Sequence, residues 1–280
     1  MQTLNPNSGK AQLVAMVHVH SNNALMNTAY NSLFATVTYT NEEAKEIDLI
    51  RKTLIDLSSQ VNKEQNNPLL VYCRNASFVL KKEAVHQLEI QICTFSFVQK
   101  QIERALQEVE IYYRNGINFV ELENVGAPYF IGNEIPLEEL LILHVVARAI
   151  RKKYPEIQLG IQVLSCGELE ALPIAIANDA FFVRSEASIF SGHRPEGETN
   201  NRGNLAKFFY LRNYLTAHSN SASPEKRRLP NMWCDYQKKH TVFSNELGSL
   251  KTWLDATLFQ KIEGIILTGS ETGSDIAEAD

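Results

Sequence analysis

The chain has 280 residues, 44 % hydrophobic and 21 % charged, with a formal net charge of −5. That length holds one large core or two modest ones, and the composition is that of a folded globular protein rather than a disordered one. The acidic balance, with a pI near 5.9, argues against a general nucleic-acid backbone binder, which carries a basic excess.

Apolar runs such as "LLILHVVARAI" (140–150) are shorter than a bilayer span and contain His144 and Arg148, so no membrane span is expected. The first residues, "MQTLNPNSGKAQLVAM", show neither a basic start ahead of an apolar segment nor an Arg-rich amphipathic pattern. Cys73, Cys93, Cys166 and Cys234 lie far apart with no C-x-x-C pair, which signals neither a zinc cage nor a disulfide framework. These features lead to the expectation of a reduced, cytoplasmic setting, with an organelle as the alternative.

In chain order, "AQLVAMVHVH" (11–20) reads as a first strand. Residues 32–99 read as an insertion after it. There "TNEEAKEIDLIRKTLIDLSSQVNKEQNN" has the apolar spacing of one amphipathic helix, and β-prone "PLLVYCRNASFVLKK" and "HQLEIQICTFSFV" follow. The triplet Asn75-Ala76-Ser77 matches a glycosylation acceptor, which without a secretory signal is read as chance.

From about residue 100, strands and helices alternate. "VQKQIERALQEVEIYYRNG" places Ile102, Leu106, Val109 and Tyr113 on one helical face, with Gly116 at the stop, and strand "INFVELEN" (117–124) follows. "IPLEELLILHVVARAIRKKYP" opens with Pro136, carries Glu138 and Glu139 early and Arg151, Lys152 and Lys153 late, and so suits the helix dipole at both ends. Then come strand "IQLGIQVLS" (157–165), helix "GELEALPIAIAN", which Pro173 should kink or shorten, and strand "AFFVRSEA" (180–187). Helix "NLAKFFYLRNYL", strand "NMWCDYQ" (231–237), helix "SLKTWLDATLFQK" and strand "GIILTG" (264–269) complete the series. Such alternation predicts an α/β fold, a TIM-type (β/α) barrel with parallel strands ordered as in the sequence. The expected organisation is a first strand and loop at 1–31, the α+β insertion at 32–99, and the remaining βα units at 100–280.

In such a barrel the functional residues lie at the C-terminal ends of the strands, where the following loops and helix N-termini share one face. That rule selects His18 and His20, then Glu121, Glu123 and Asn124, Gln162 and Ser165, Arg184 and Glu186, Asp235 and Lys239, and Thr268. His18/His20, Glu121/Glu123 and Arg184/Glu186 are each two apart and share a face. A buried charge is costly unless matched, so Arg184 and Glu186 read either as site residues or as a structural ion pair. Glu121 and Glu123 read as site residues, with a position on the outer rim as the alternative. "VHVH" also suits metal ligation, with His240 the later histidine placed to help. The turn "TGSETG" has two Thr-Gly pairs whose backbone N–H groups and hydroxyls can hold a phosphate or carboxylate, although many such turns are only turns.

Taken in order, "MVHV", "IERALQEVEIYYRNGINFVELENVGAPYF", "LGIQVL", "FFVRSEASIFS" with "EG" at 196–197, "DYQKKH" and "GIILTGSETG" resemble the BtpA-like family. That family is named for a cyanobacterial protein needed to accumulate photosystem I and is grouped by fold with the ribulose-phosphate-binding TIM barrels. The resemblance covers residues 11 to about 30 and 101–275. It implies a site for a small anionic molecule, phosphorylated or otherwise, and names no cofactor, nucleic acid or membrane partner; self-association into a homo-oligomer stays open. Carried over by position, it implies His18, Asn124, Arg184, Glu186, Thr268, Gly269, Thr272 and Gly273 as ligand-binding residues. Arg184 and Lys239 would hold the anion, and Glu123 or Asp235 would act as acid/base.

This chain departs from the family pattern in three places. An Asp usual in the second-strand loop is missing from "ENVGAP", the insertion replaces a short connection, and the family continues past "TG" through two further strands. The chain is therefore expected to be a fragment or variant of a longer product, or else to close its barrel with β-prone pieces of the insertion. Two other functions compete with ligand binding: a non-catalytic assembly or stability factor, and a metal-dependent hydrolase using His18 and His20.

Overall fold

The structure, a computed structural model, describes residues 14–20, 45, 49, 93–125, 135, 137–186, 189–190, 192–194, 197–199, 204–218, 229–236, 241–243 and 250–267. In order these form β1 (Val14–His20), α1 (Ser96–Arg114), β2 (Phe119–Val125), α2 (Leu137–Lys153), β3 (Gln158–Gln162), α3 (Glu168–Ala177) and β4 (Phe182–Ser185). Then follow β5 (Gly192–Arg194), β6 (Gly197–Thr199), α4 (Asn204–His218), β7 (Asn231–Tyr236), β8 (Val242–Phe243), α5 (Leu250–Phe259) and β9 (Gly264–Leu267). A six-stranded sheet runs β1-β2-β3-β4-β7-β9 with every neighbouring pair parallel. The fold is therefore α/β, a curled half-barrel of βα units whose strand order follows the sequence.

Strands of a parallel sheet are typically buried on both faces; here the two faces carry different chemistry, and at the edge strand β9 the outward Ile265 and Leu267 are exposed. Outward, Val17, Val19, Val120, Leu122, Leu159, Ile161, Val183, Met232 and Cys234 join one core with apolar residues of the helices, among them Ala105, Val109, Leu143, Val146 and Ile174. Inward, Phe181, Phe182 and Trp233, with Val14, Phe119 and Ile266 against them, form an aromatic floor. Phe182 and Trp233 stack with ring centroids 4.2 Å apart and planes 11° from parallel. Two glycines leave room for these rings. A Cβ on Gly160 would lie 2.0 Å from Phe182 Cζ, and one on Gly264 would lie 2.3 Å from Trp233 Cδ1.

At the opposite end of the strands from the expected site, Arg151 near the end of α2 holds the entries to β3 and β4. Its Nη1 donates to the carbonyls of Pro155 (2.7 Å) and Ile157 (2.9 Å), its Nε to Asn178 (3.0 Å) and its Nη2 to Asp179 (3.1 Å). Arg151→Ala should lower the unfolding free energy by about 1.5–3 kcal/mol, the range for hydrogen bonds to a charged group. Lysine should not restore it, because one ammonium cannot span these carbonyls. Urea midpoints at unchanged slope check this, and a wild-type midpoint for the alanine variant would contradict it.

Pro173 lies inside α3, which runs through it for ten residues, with Ala171, Leu172, Ile174, Ala175 and Ile176 buried around it. One local feature, a second, three-stranded antiparallel sheet, β6-β5-β8, was not foreseen. It joins the connection after β4 to the one after β7, two strands that are neighbours in the large sheet. Of the insertion read at 32–99, only Lys45, Leu49 and residues 93–99 are among the described residues, and the last of these open α1. No helix among the described residues is long and apolar enough to cross a membrane.

Candidate functional site

The register of the sheet decides which side chains meet. His18 is aligned with Glu123 across β1 and β2, and Glu123 with Gln162 across β2 and β3. Alternation puts Phe119, Glu121 and Glu123 on the inner face of β2, Gly160 and Gln162 on that of β3, and Trp233 and Asp235 on that of β7. On β4 and just past it, Phe182, Arg184 and Glu186 share that face. The interior therefore rises from an aromatic floor through a charged layer to a polar rim at the C-terminal ends of the strands.

In the charged layer Arg184 lies between two carboxylates. Its Nε bonds Asp235 Oδ1 (3.0 Å) and Oδ2 (3.2 Å), its Nη2 bonds Asp235 Oδ2 (3.1 Å), and its Nη1 bonds Glu121 Oε1 (2.9 Å). All three side chains are nearly solvent-free. Burial opposes the guanidinium charge, but Glu121 and Asp235 outweigh it and Glu123 adds to them, so Arg184 holds its proton more tightly than usual. Burial pushes the Glu121 carboxyl up from its ordinary value, against the lowering effect of Arg184. One guanidinium serves both acids, and Asp235 takes the two-nitrogen contact.

An acid whose pKa is raised by folding contributes stability that is present at low pH and lost as pH rises through its folded value. Wild type should therefore lose stability relative to Glu121→Gln as pH climbs above the ordinary glutamate range of about 4.3. Urea unfolding of both proteins at several values from pH 5 to 8 checks the sign. A gap that stays constant, or moves the other way, would contradict it.

The rim is less fully paired. His18 Nε2 lies 3.6 Å from Glu123 Oε1, with the histidine half-exposed and the glutamate largely buried. Gln162 is 1 % exposed, yet neither Oε1 nor Nε2 has a hydrogen-bond partner among the described residues, and the Oγ of buried Ser165 is in the same position. Glu186 Oε2 accepts the N–H of Cys166 (3.1 Å), a residue with a left-handed φ of 53°. Asn124, one residue beyond Glu123, ties the tip of β2 to its neighbours. Its Oδ1 accepts the Leu164 N–H (2.6 Å), and its Nδ2 donates to the Leu164 carbonyl (3.1 Å) and to Glu139 (3.3 Å).

The expected site residues thus divide. His18, Glu123, Gln162, Ser165 and Glu186 lie together at the C-terminal ends of β1 to β4, Arg184 and Asp235 lie a layer below with Glu121, and Asn124 braces the loop after β3. His20 ends β1, while Lys239, His240, Thr268, Gly269, Thr272 and Gly273 lie outside the described residues. Among the described residues no group of three or more His, Cys, Asp and Glu is placed to hold a metal ion. Sequence reasoning marked every member of the charged layer but not its pairing, having set Arg184 with Glu186 rather than with Glu121 and Asp235.

Chemically, the rim offers a histidine and a glutamate at ion-pair distance, a buried amide with both donor and acceptor capacity, and a second carboxylate. A sequence model of the family described as "BtpA family" matches residues 94–280. A Caenorhabditis elegans protein designated "Uncharacterized protein F13E9.13, mitochondrial" is 27 % identical over 180 residues, which are 62 % of this chain and 60 % of the relative. The chain thus spans about 60 % of the length of that curated relative.

Proposed function

The chain belongs to the BtpA family, and from that premise we propose that it binds a small anionic molecule at the C-terminal ends of its parallel strands and handles protons there with Glu123 and His18. The observation that carries this reading is the buried Gln162 amide with no partner among the described residues, beside the His18–Glu123 pair. An unmatched buried polar group costs about 1–3 kcal/mol, and such costs concentrate where a ligand supplies the missing partner. Of the two acid/base candidates, Glu123 is favoured, because Asp235 is held by two nitrogens of Arg184.

Arg184 is itself fully engaged, so in this reading it steadies the interior acids while Lys239, Thr268, Gly269, Thr272 and Gly273 receive the anion. Residues 32–99 are read as an insertion after the first strand. The cytoplasm is the compartment proposed, and fractionation of the tagged chain should also score mitochondria, the compartment in the worm relative's designation.

Calorimetric titration of the full chain with sugar phosphates tests the reading. Binding is expected, and Lys239→Ala should weaken it about 10- to 100-fold, the equivalent of about 1.5–3 kcal/mol for one charge-assisted contact. Absence of binding to any phosphorylated or carboxylated small molecule would overturn it in favour of a non-catalytic assembly role.

A further inference from the structure

We propose that Gln162 selects a ligand portion bearing vicinal hydroxyl groups, held between the tips of β2, β3 and β4 and apart from the anionic end. This rests on the reading of the rim as a ligand site and goes on to assign the chemistry of the part that enters it. Gln162 is register neighbour to Glu123 on one side. On the other side, Glu186 follows β4 and reaches the Cys166 N–H in the loop that follows β3. The amide thus lies beside Glu123 on the inner face, and Glu186 stands on the neighbouring side, just past the end of β4.

The donor and acceptor inventory narrows what fits. Ionised carboxylates only accept, whereas the Gln162 amide brings two N–H donors and one acceptor oxygen, all without a partner among the described residues. An anionic group placed here would face the neighbouring Glu123 and be repelled. An ammonium could pair with Glu123 and Gln162 Oε1 but would leave Nε2 unmatched, since it cannot accept. A hydroxyl does both, giving its proton to a carboxylate while accepting from Nε2, and an adjacent hydroxyl can give its single proton to Oε1. Ser165 Oγ, also buried and without a partner among the described residues, can complete the hydrogen bonding at the β3 loop.

The test is calorimetric titration of the full chain with D-ribose 5-phosphate, its 2-deoxy analogue and inorganic phosphate at fixed pH and salt. Wild type is expected to prefer the ribose compound over the deoxy compound by about tenfold or more, because the missing hydroxyl leaves buried groups unpaired. Gln162→Leu should abolish that preference, leave the affinity for inorganic phosphate unchanged, and melt at or above the wild-type temperature, because it removes an unpaired buried amide. The wild-type preference needs no variant, so the proposal stays testable even if the leucine protein fails to fold. Equal binding of the two sugar phosphates by wild type, or a leucine variant that keeps the preference, would overturn the inference while leaving the ligand-site reading standing. If wild type binds none of the three compounds, the inference falls, and the ligand-site reading is decided separately by titration with carboxylated and other phosphorylated small molecules.

Discussion

Arg184→Met is expected to destabilise the protein by about 3–5 kcal/mol, the range for stranding buried charge by removing one partner. The substitution preserves much of the side-chain volume, so the loss is electrostatic rather than a packing defect. It leaves Glu121 and Asp235 nearly solvent-free with their shared counter-ion gone. Those acids can then ionise only at high cost, or must take up protons. The triple variant Arg184→Met, Glu121→Gln, Asp235→Asn should regain most of the lost stability, since neutral groups of similar shape no longer demand a cation. Arg184→Lys should recover little, because a point charge cannot reproduce a contact that uses Nε and Nη2 on one acid and Nη1 on the other. Denaturant curves of the four proteins check this, and an Arg184→Met protein within about 1 kcal/mol of wild type would contradict it.

The second large effect is expected from a single methyl group. Gly160→Ala would place a Cβ 2.0 Å from Phe182 Cζ and 2.4 Å from the two neighbouring ring carbons. That is overlap rather than contact, and the ring cannot slide away because Trp233 is stacked against its other face. Overpacking of this kind typically costs about 1–3 kcal/mol, and the trapped ring puts the upper end in prospect here. Phe182→Leu alone should also destabilise, by opening space in the floor, yet the double variant should be more stable than the sum of the single changes predicts. A double-mutant cycle by thermal or urea unfolding measures that coupling, and simple additivity would show that the glycine is not there to seat the ring.

The strands were legible because parallel strands buried on both faces appear as short apolar runs, and β9 carries such a run although its outward face is exposed. "INFVELEN", "AFFVRSEA", "NMWCDYQ" and "GIILTG" each cover an observed strand, β2, β4, β7 and β9, with ends displaced by a residue or two. Their parallel, sequential order followed from the helix-length segments between them. The Arg184 layer was harder to read, because its bonds join residues 63 and 51 positions apart and no local pattern records such pairings. For the same reason the glycine of "LGIQVL" gave no hint that a phenylalanine on the next strand fills the space above it. The β6-β5-β8 sheet escaped because strands of two or three residues show no period at all.

Within the candidate site, alternation foretold that Glu121 and Glu123 share a face, and the register then sets Glu123 beside both His18 and Gln162. Sequence alone could not separate their roles, because burial and pairing distinguish them. Glu121 is spent on Arg184, whereas Glu123 stands at the rim with a half-exposed histidine.

The most direct test of the rim as a ligand site is hydrogen–deuterium exchange of the full chain with and without saturating D-ribose 5-phosphate. The ligand should slow exchange in peptides covering 123–125, 162–167 and 186–190, where the tips of β2, β3 and β4 meet, and leave the outer surfaces of α1 and α2 unchanged. Protection confined to those helices, or no change at the three strand tips under conditions where calorimetry shows binding, would contradict the account.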